Sequence, residues 1–338
     1  MAHQFTSGAF FNGKAAWHKL GTVLDGTLPA REAFRVANAD WEVVSTPIFD
    51  PMGEPIDGYQ AISRGDNGHV LSVQKDSYTI VQNEQLIRLA EALHEDASMD
   101  AVVVLQEGKK VAFTARLNNA KAEVVKGDEI HQYFVGTTSH DGTIAFQAIF
   151  SPIRVVCMNT LSATLRHAEA HESAGKKRQR ISVRHTLNAN SLIDRLPEII
   201  DFKRQEFTKT IEELQHMAST PCTSEQFKSY CEQVFAQQLA GMVNDKRGDK
   251  ATARPKTLAD LPQWDSLANK FAGGGIGFDI PGVQGTMWGA YNTVTEFLTH
   301  EAGRGEVSDI ESARRRMESL YWGGAASTLI RAHSLALV

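Results

Sequence analysis

Cysteine is scarce. Three residues, Cys157, Cys222 and Cys231, in a chain of 338 are too few and too scattered for a disulfide framework, and they lack the paired spacing of a zinc site. That usage leads to the expectation of a reducing, cytoplasmic setting. Runs of 18 apolar residues are missing, and Met1 to Leu20 holds no apolar stretch of signal-peptide type, so neither a membrane span nor secretion is expected. Positive charge is the minority sign, with 35 Lys and Arg against 40 Asp and Glu. The chain is therefore no polycation, and any nucleic-acid contact has to come from a local basic stripe. No internal repeat of fixed period is present. With 42% hydrophobic and 22% charged residues, the composition suits one large core or two smaller ones rather than disorder.

The first recognisable pattern is a meander of short strands. Trp41 to Thr46, Gly58 to Ser63 and Val70 to Val73 are rich in Val, Ile, Tyr and Trp, and are separated by Pro51-Met52-Gly53 and Gly65-Asp66-Asn67-Gly68. Asn83 is placed to cap a helix that carries Leu86, Leu89, Ala90 and Leu93 at helical spacing up to His94. A second strand group follows at Ala101 to Leu105, Lys110 to Leu117, Glu129 to Thr137 and Thr143 to Phe150, with a helix expected from about Met158. From Asn188 the pattern turns helical. Pro197 sits near a helix start, Thr223-Ser224-Glu225-Gln226 reads as a capped start, and helices are expected at Thr286 to His300 and Ser308 to His333. Strands and helices in separate blocks predict an α+β fold, with an antiparallel strand-rich domain over 1–187 and a helical region over 188–338.

The chemically dense stretch runs from Thr137 to Asn188. Arg154 stands between Ile153 and Val155, where an unpaired buried charge is costly. It calls either for a structural ion pair with a carboxylate such as Asp141 or for a nucleic-acid phosphate. Cys157, with Asn159 and His185, supplies the parts of a cysteine hydrolase, although its apolar neighbours Val155, Val156 and Met158 also suit a small buried hydrophobe. His140-Asp141-Gly142 reads first as a hairpin turn and secondarily as an acid-base pair. Gly273 to Gly277 lacks the Lys and Ser or Thr that a phosphate-binding loop needs after its last glycine, so a flexible loop is expected. Another polar stretch, Asn244 to Lys256, reads as a mobile basic loop. Arg166 to His185 carries six Lys or Arg against two Glu, the density of a loop that tracks a phosphate backbone. Tyr78, Tyr133, Phe150 and Trp17 are aromatics from which a base-stacking surface could be drawn.

Several phrases resemble the phage/plasmid-like protein family of prophages, phages and conjugative plasmids. They are Ala16-Trp17-His18-Lys19-Leu20-Gly21, Tyr78-Thr79-Ile80-Val81-Gln82-Asn83-Glu84, Ser139-His140-Asp141-Gly142-Thr143, Arg154-Val155-Val156-Cys157-Met158-Asn159-Thr160-Leu161 and Arg184-His185-Thr186. The resemblance implies a mobile-element setting. In outline it is also similar to the single-strand annealing proteins of phages, which assemble as rings or filaments.

Together these readings lead to an expected single-stranded DNA-binding protein that promotes annealing or recombination. It would act as a homo-oligomer, with no metal or nucleotide cofactor. Lys176, Lys177, Arg178, Arg180 and Arg184 are expected to neutralise phosphates, Arg154 to orient the strand, Lys75 to lie on the same route and Tyr78 to offer a stacking face. The alternatives are a hydrolase or nucleic-acid-modifying enzyme built on Cys157 and His185, with His140 and Asp141, and an anti-defence protein that binds a host partner.

Overall fold

Residues 110 to 117 alternate between buried and half-buried positions, Val111, Phe113, Ala115 and Leu117 pointing inward. That period of two makes them a strand with one apolar face. The computed structural model describes residues 5–11, 22–93, 96–154, 156, 159–160, 181–183, 196–243, 254–303, 312, 315–316, 319–320 and 324–338. Three short elements, β1 (Phe5–Phe11), β2 (Thr22–Leu24) and α1 (Ala30–Val36), precede the meander β3 (Val43–Phe49), β4 (Pro55–Arg64) and β5 (Val70–Lys75). Helix α2 (Asn83–Glu91) leads into β6 (Ala97–Leu105), β7 (Lys110–Glu123), β8 (Glu129–Ser139) and β9 (Phe146–Arg154), followed by β10 (Asn159–Thr160) and β11 (Ile181–Val183). The described helices of the second half include α3 (Leu196–Ser219), α4 (Ser224–Val234), α5 (Trp264–Asn269), α6 (Met287–Glu296) and α7 (Gly324–Ala336).

The large sheet has the order β10-β9-β8-β7-β6-β1-β2, with β11 also on β9. It is antiparallel throughout except for the β1/β2 pair. Strands β3, β4 and β5 form a separate three-stranded blade. The protein is thus an α+β fold, as its sequence pattern predicts. Two details differ. Asn159 and Thr160 pair with Arg154 and Ile153 as a short strand, where a helix was expected. Asn83 is the first residue of α2 rather than its cap; it is buried, and its side-chain amide donates to the Trp41 carbonyl at 3.0 Å.

The apolar face of the sheet holds a line of rings. Phe34 meets Phe113 edge-on at 5.8 Å, Phe113 stacks on Phe134 at 5.7 Å, and Phe134 meets Phe150 edge-on at 5.0 Å. Gly136 stands opposite Phe113, and a Cβ there would come within 2.2 Å of the ring, so the missing side chain makes room for the aromatic line. Thr223 and Gln226 form the expected capping box at the start of α4. Tyr230 Oη donates to the Ala332 carbonyl at 3.0 Å, tying α4 to α7, and Gln215 Nε2 donates to the Glu123 carbonyl at 3.0 Å, tying α3 to the end of β7. One continuous apolar core runs from Ala9 to Ala336, across position 187. Among the described residues no helix is long and apolar enough to cross a membrane.

Candidate functional site

Arg154 closes β9, and the pairing of Ile130 with Arg154 sets Asp128, two residues before Ile130, beside its guanidinium. Nε and Nη2 of Arg154 donate to the two carboxylate oxygens of Asp128, both at 2.7 Å, and both side chains are fully buried. Trp288 on α6 donates its indole N–H to the same carboxylate at 2.9 Å, with its ring 5.5 Å from the guanidinium. The remaining donors of Arg154 reach the carbonyls of Ile276 at 3.0 Å and Gly277 at 3.2 Å. Gly277 has φ +73°, and a Cβ there would lie 2.9 Å from Nη2, so both backbone and space call for glycine.

This geometry corrects the expectation that Arg154 orients a DNA strand. Its side chain is fully buried and its charge is neutralised by Asp128. The ion-pair alternative is the one realised, with Asp128 as the carboxylate instead of Asp141. The Gly273 to Gly277 segment is likewise no free loop. Its Ile276 amide donates to Glu296 at 2.9 Å while the Ile276 carbonyl receives Arg154. Glu296 also accepts from Lys270, which bonds Glu301 at 2.7 Å. Burial works against the Lys270 charge, but the bonds to Glu296 and Glu301 outweigh it and hold the ammonium above its ordinary pKa.

His140 is buried and its Nε2 lies 3.0 Å from Asn83 Oδ1, with its ring edge-on to Trp41 at 5.4 Å. Asp141 Oδ1 accepts from the amide and hydroxyl of Thr143 at 3.0 and 2.6 Å, closing the turn that Asp-Gly predicts. The two residues therefore do separate structural jobs. Cys222 and Cys231 are buried and their thiols are pushed up by burial, that of Cys222 to about 11, so neither is an activated nucleophile. Cys157 and His185, the residues of the hydrolase alternative, lie outside the described residues. So do Lys176, Lys177, Arg178, Arg180 and Arg184.

Lys75 is exposed at the end of β5, directly opposite Tyr59 on β4. Alternate residues of a strand share a face, so Tyr59, Ala61, Val73 and Lys75 lie on one side of the blade. Ala61 is buried, but Tyr59 is 46% exposed and Val73 54%, so the end of that side toward Lys75 faces solvent with an aromatic ring and a cation as neighbours. Tyr78, the expected stacking residue, is half-buried against the core, and its hydroxyl donates to the Ser139 carbonyl at 3.4 Å. Burial raises its pKa well above the ordinary tyrosine value.

A family model described as a domain of unknown function (DUF932) matches residues 70–321, about three quarters of the chain. The chain belongs to that family. No curated protein and no solved structure matches it. The DUF932 match begins at Val70, so it includes Lys75 and the whole Arg154 cluster and leaves out Tyr59.

Sequence reasoning missed a second polar group within the DUF932 segment. The face of the sheet opposite the phenylalanine line carries Thr114 and Arg116 on β7, Tyr133 and Thr137 on β8, and Gln147 and Ser151 on β9. Arg116, Tyr133 and Ser151 stand side by side across three strands. Asp100, in the bulge of β6 between Met99 and Ala101, accepts from Thr114 Oγ1 at 3.4 Å. Burial pushes the Asp100 carboxyl up to about 6, against the pull of Arg116 and the Thr114 bond. Burial raises Tyr133 to about 12, with the Asp100 charge adding to it. The legible signal was the alternation itself, because a strand with Thr114 and Arg116 between Phe113, Ala115 and Leu117 exposes a polar row on its second face.

Proposed function

We propose that this chain is a phage- or plasmid-encoded protein that binds single-stranded DNA and promotes strand annealing or recombination as a homo-oligomer. The observation that carries the reading is the exposed Tyr59 ring beside Lys75 on the open face of the blade. A flat ring next to a cation on a sheet is the kind of surface on which unpaired bases stack, each stacked base adding about 1–3 kcal/mol irrespective of its identity. The blade also carries Glu54, Asp57 and Asp76, all exposed, so it supplies stacking rather than charge neutralisation. Neutralisation falls to Lys176, Lys177, Arg178, Arg180 and Arg184.

The test is fluorescence anisotropy of a labelled oligo(dT) titrated at several salt concentrations. If all five cations meet phosphates, log K should fall against log salt with a slope of about −3.5, at about −0.7 per phosphate on a single strand. Tyr59→Ala should weaken binding roughly tenfold or more without changing that slope, since stacking releases no counterions. Absence of binding, or an affinity indifferent to salt, rejects the reading.

A further inference from the structure

The row Arg116, Tyr133, Ser151 is left incomplete by the protein itself. Ser151 is fully buried, and its hydroxyl has no hydrogen-bond partner. Arg116 is half-buried and makes no ion pair or hydrogen bond with any described residue. Tyr133 stands between them, with Arg116 opposite it on β7 and Ser151 opposite it on β9, at cross-strand side-chain spacings of roughly 5 Å. The row runs from half-buried Ser98, Asp100 and Arg116 at one end to buried Tyr133 and Ser151 at the other.

Buried hydroxyls are normally satisfied, and a guanidinium drawn partly out of water normally meets an acid. The nearby acid, Asp100, accepts from Thr114 at 3.4 Å and feels the charge of Arg116. What the row lacks is an acceptor with several oxygens. A guanidinium fork flanked by two hydroxyl donors matches a tetrahedral oxyanion, which offers oxygens in more than one direction.

We infer that Arg116, Tyr133 and Ser151 form a binding site for a phosphate group on the polar face of the large sheet. Arg116 takes the charge at the open end, and the hydroxyls of Tyr133 and Ser151 donate to the inner oxygens. The same chemistry suits a free phosphate or phosphate monoester and a phosphodiester of a bound strand. The site does not depend on the DNA reading, since none of its residues belongs to the blade or to the basic run.

The experiment is calorimetric titration of the full chain with inorganic phosphate, alongside anisotropy with oligo(dT), for the wild type, Arg116→Gln, Ser151→Ala and Asp100→Asn. Phosphate should bind the wild type. Arg116→Gln should weaken it at least tenfold and Ser151→Ala several-fold, while Asp100→Asn, which removes the neighbouring carboxylate, should tighten it. Ser151→Ala should leave the melting temperature of the free protein unchanged or raised, because it deletes an unsatisfied hydroxyl; a purely packing role would lower it. If Arg116→Gln weakens oligo(dT) binding and inorganic phosphate does not bind, the phosphodiester is the ligand and the site stands. If phosphate binds through this row and oligo(dT) binds nowhere, the site stands and the DNA reading fails. Should neither ligand respond to Arg116→Gln and Ser151→Ala, or to Ser151→Ala alone if the arginine variant does not fold, the inference is overturned.

Discussion

Arg154 and Asp128 show how much one residue pair can hold. Each would be a stranded charge without the other, and breaking such a buried pair by removing one partner costs about 3–5 kcal/mol. Arg154→Ala should therefore lower the unfolding free energy from urea titration by that amount and move the midpoint down, with no specific loss of nucleic-acid binding in the fraction still folded. A midpoint equal to that of the wild type would contradict the role given to the pair. Asp100 works in the opposite direction. Its carboxyl titrates near 6 in the folded protein against 3.8 ordinarily, so the folded state holds the proton more tightly than the unfolded one. Stability from this group is present below 3.8, falls as pH rises to about 6, and stays lost above that, a change of at most about 3 kcal/mol. Asp100→Asn should be more stable than the wild type above pH 6, with the gap closing toward acid. Melting temperatures across that range decide it, and a pH-independent gap would refute the assignment.

At the scale of elements, period and turn chemistry made much of the fold legible. Strands β3 to β5, helix α2, the Asp141-Gly142 turn and the Thr223 cap follow from local rules that need no knowledge of distant partners. Local rules also account for what was not legible. In sequence Arg154 pointed to a carboxylate such as Asp141, and the choice of Asp128 depends on the register of β8 against β9. Gly273 to Gly277 looks like slack chain until Arg154, 122 residues earlier, is set under the Ile276 carbonyl. Tyr78 and Tyr59 look alike as strand tyrosines. Only the blade's separation from the main sheet leaves Tyr59 open while Tyr78 packs inward. The polar row was readable as alternation on each strand, but the company of Arg116, Tyr133 and Ser151 is again a matter of register.

For the whole molecule, the continuous core and the Asp128-Arg154-Trp288 cluster join the strand-rich half to the helical half. A chain ending at Leu187 would lose Trp288 and the two carbonyls above Arg154. Such a fragment should lack a cooperative thermal transition and expose apolar surface to a dye such as ANS, whereas a fragment that melts sharply would show that the first half folds by itself.

The cluster's long reach along the chain also has a meaning for synthesis. Asp128 leaves the ribosome 160 residues ahead of Trp288. At about 5–20 residues per second, that interval is roughly 8–30 seconds. From the time Arg154 follows, 26 residues after Asp128, the nascent sheet can hold its ion pair but lacks the indole that donates to it and the carbonyls that cap it. Translation speed over the second half thus sets how long the newborn first half waits for its keystone.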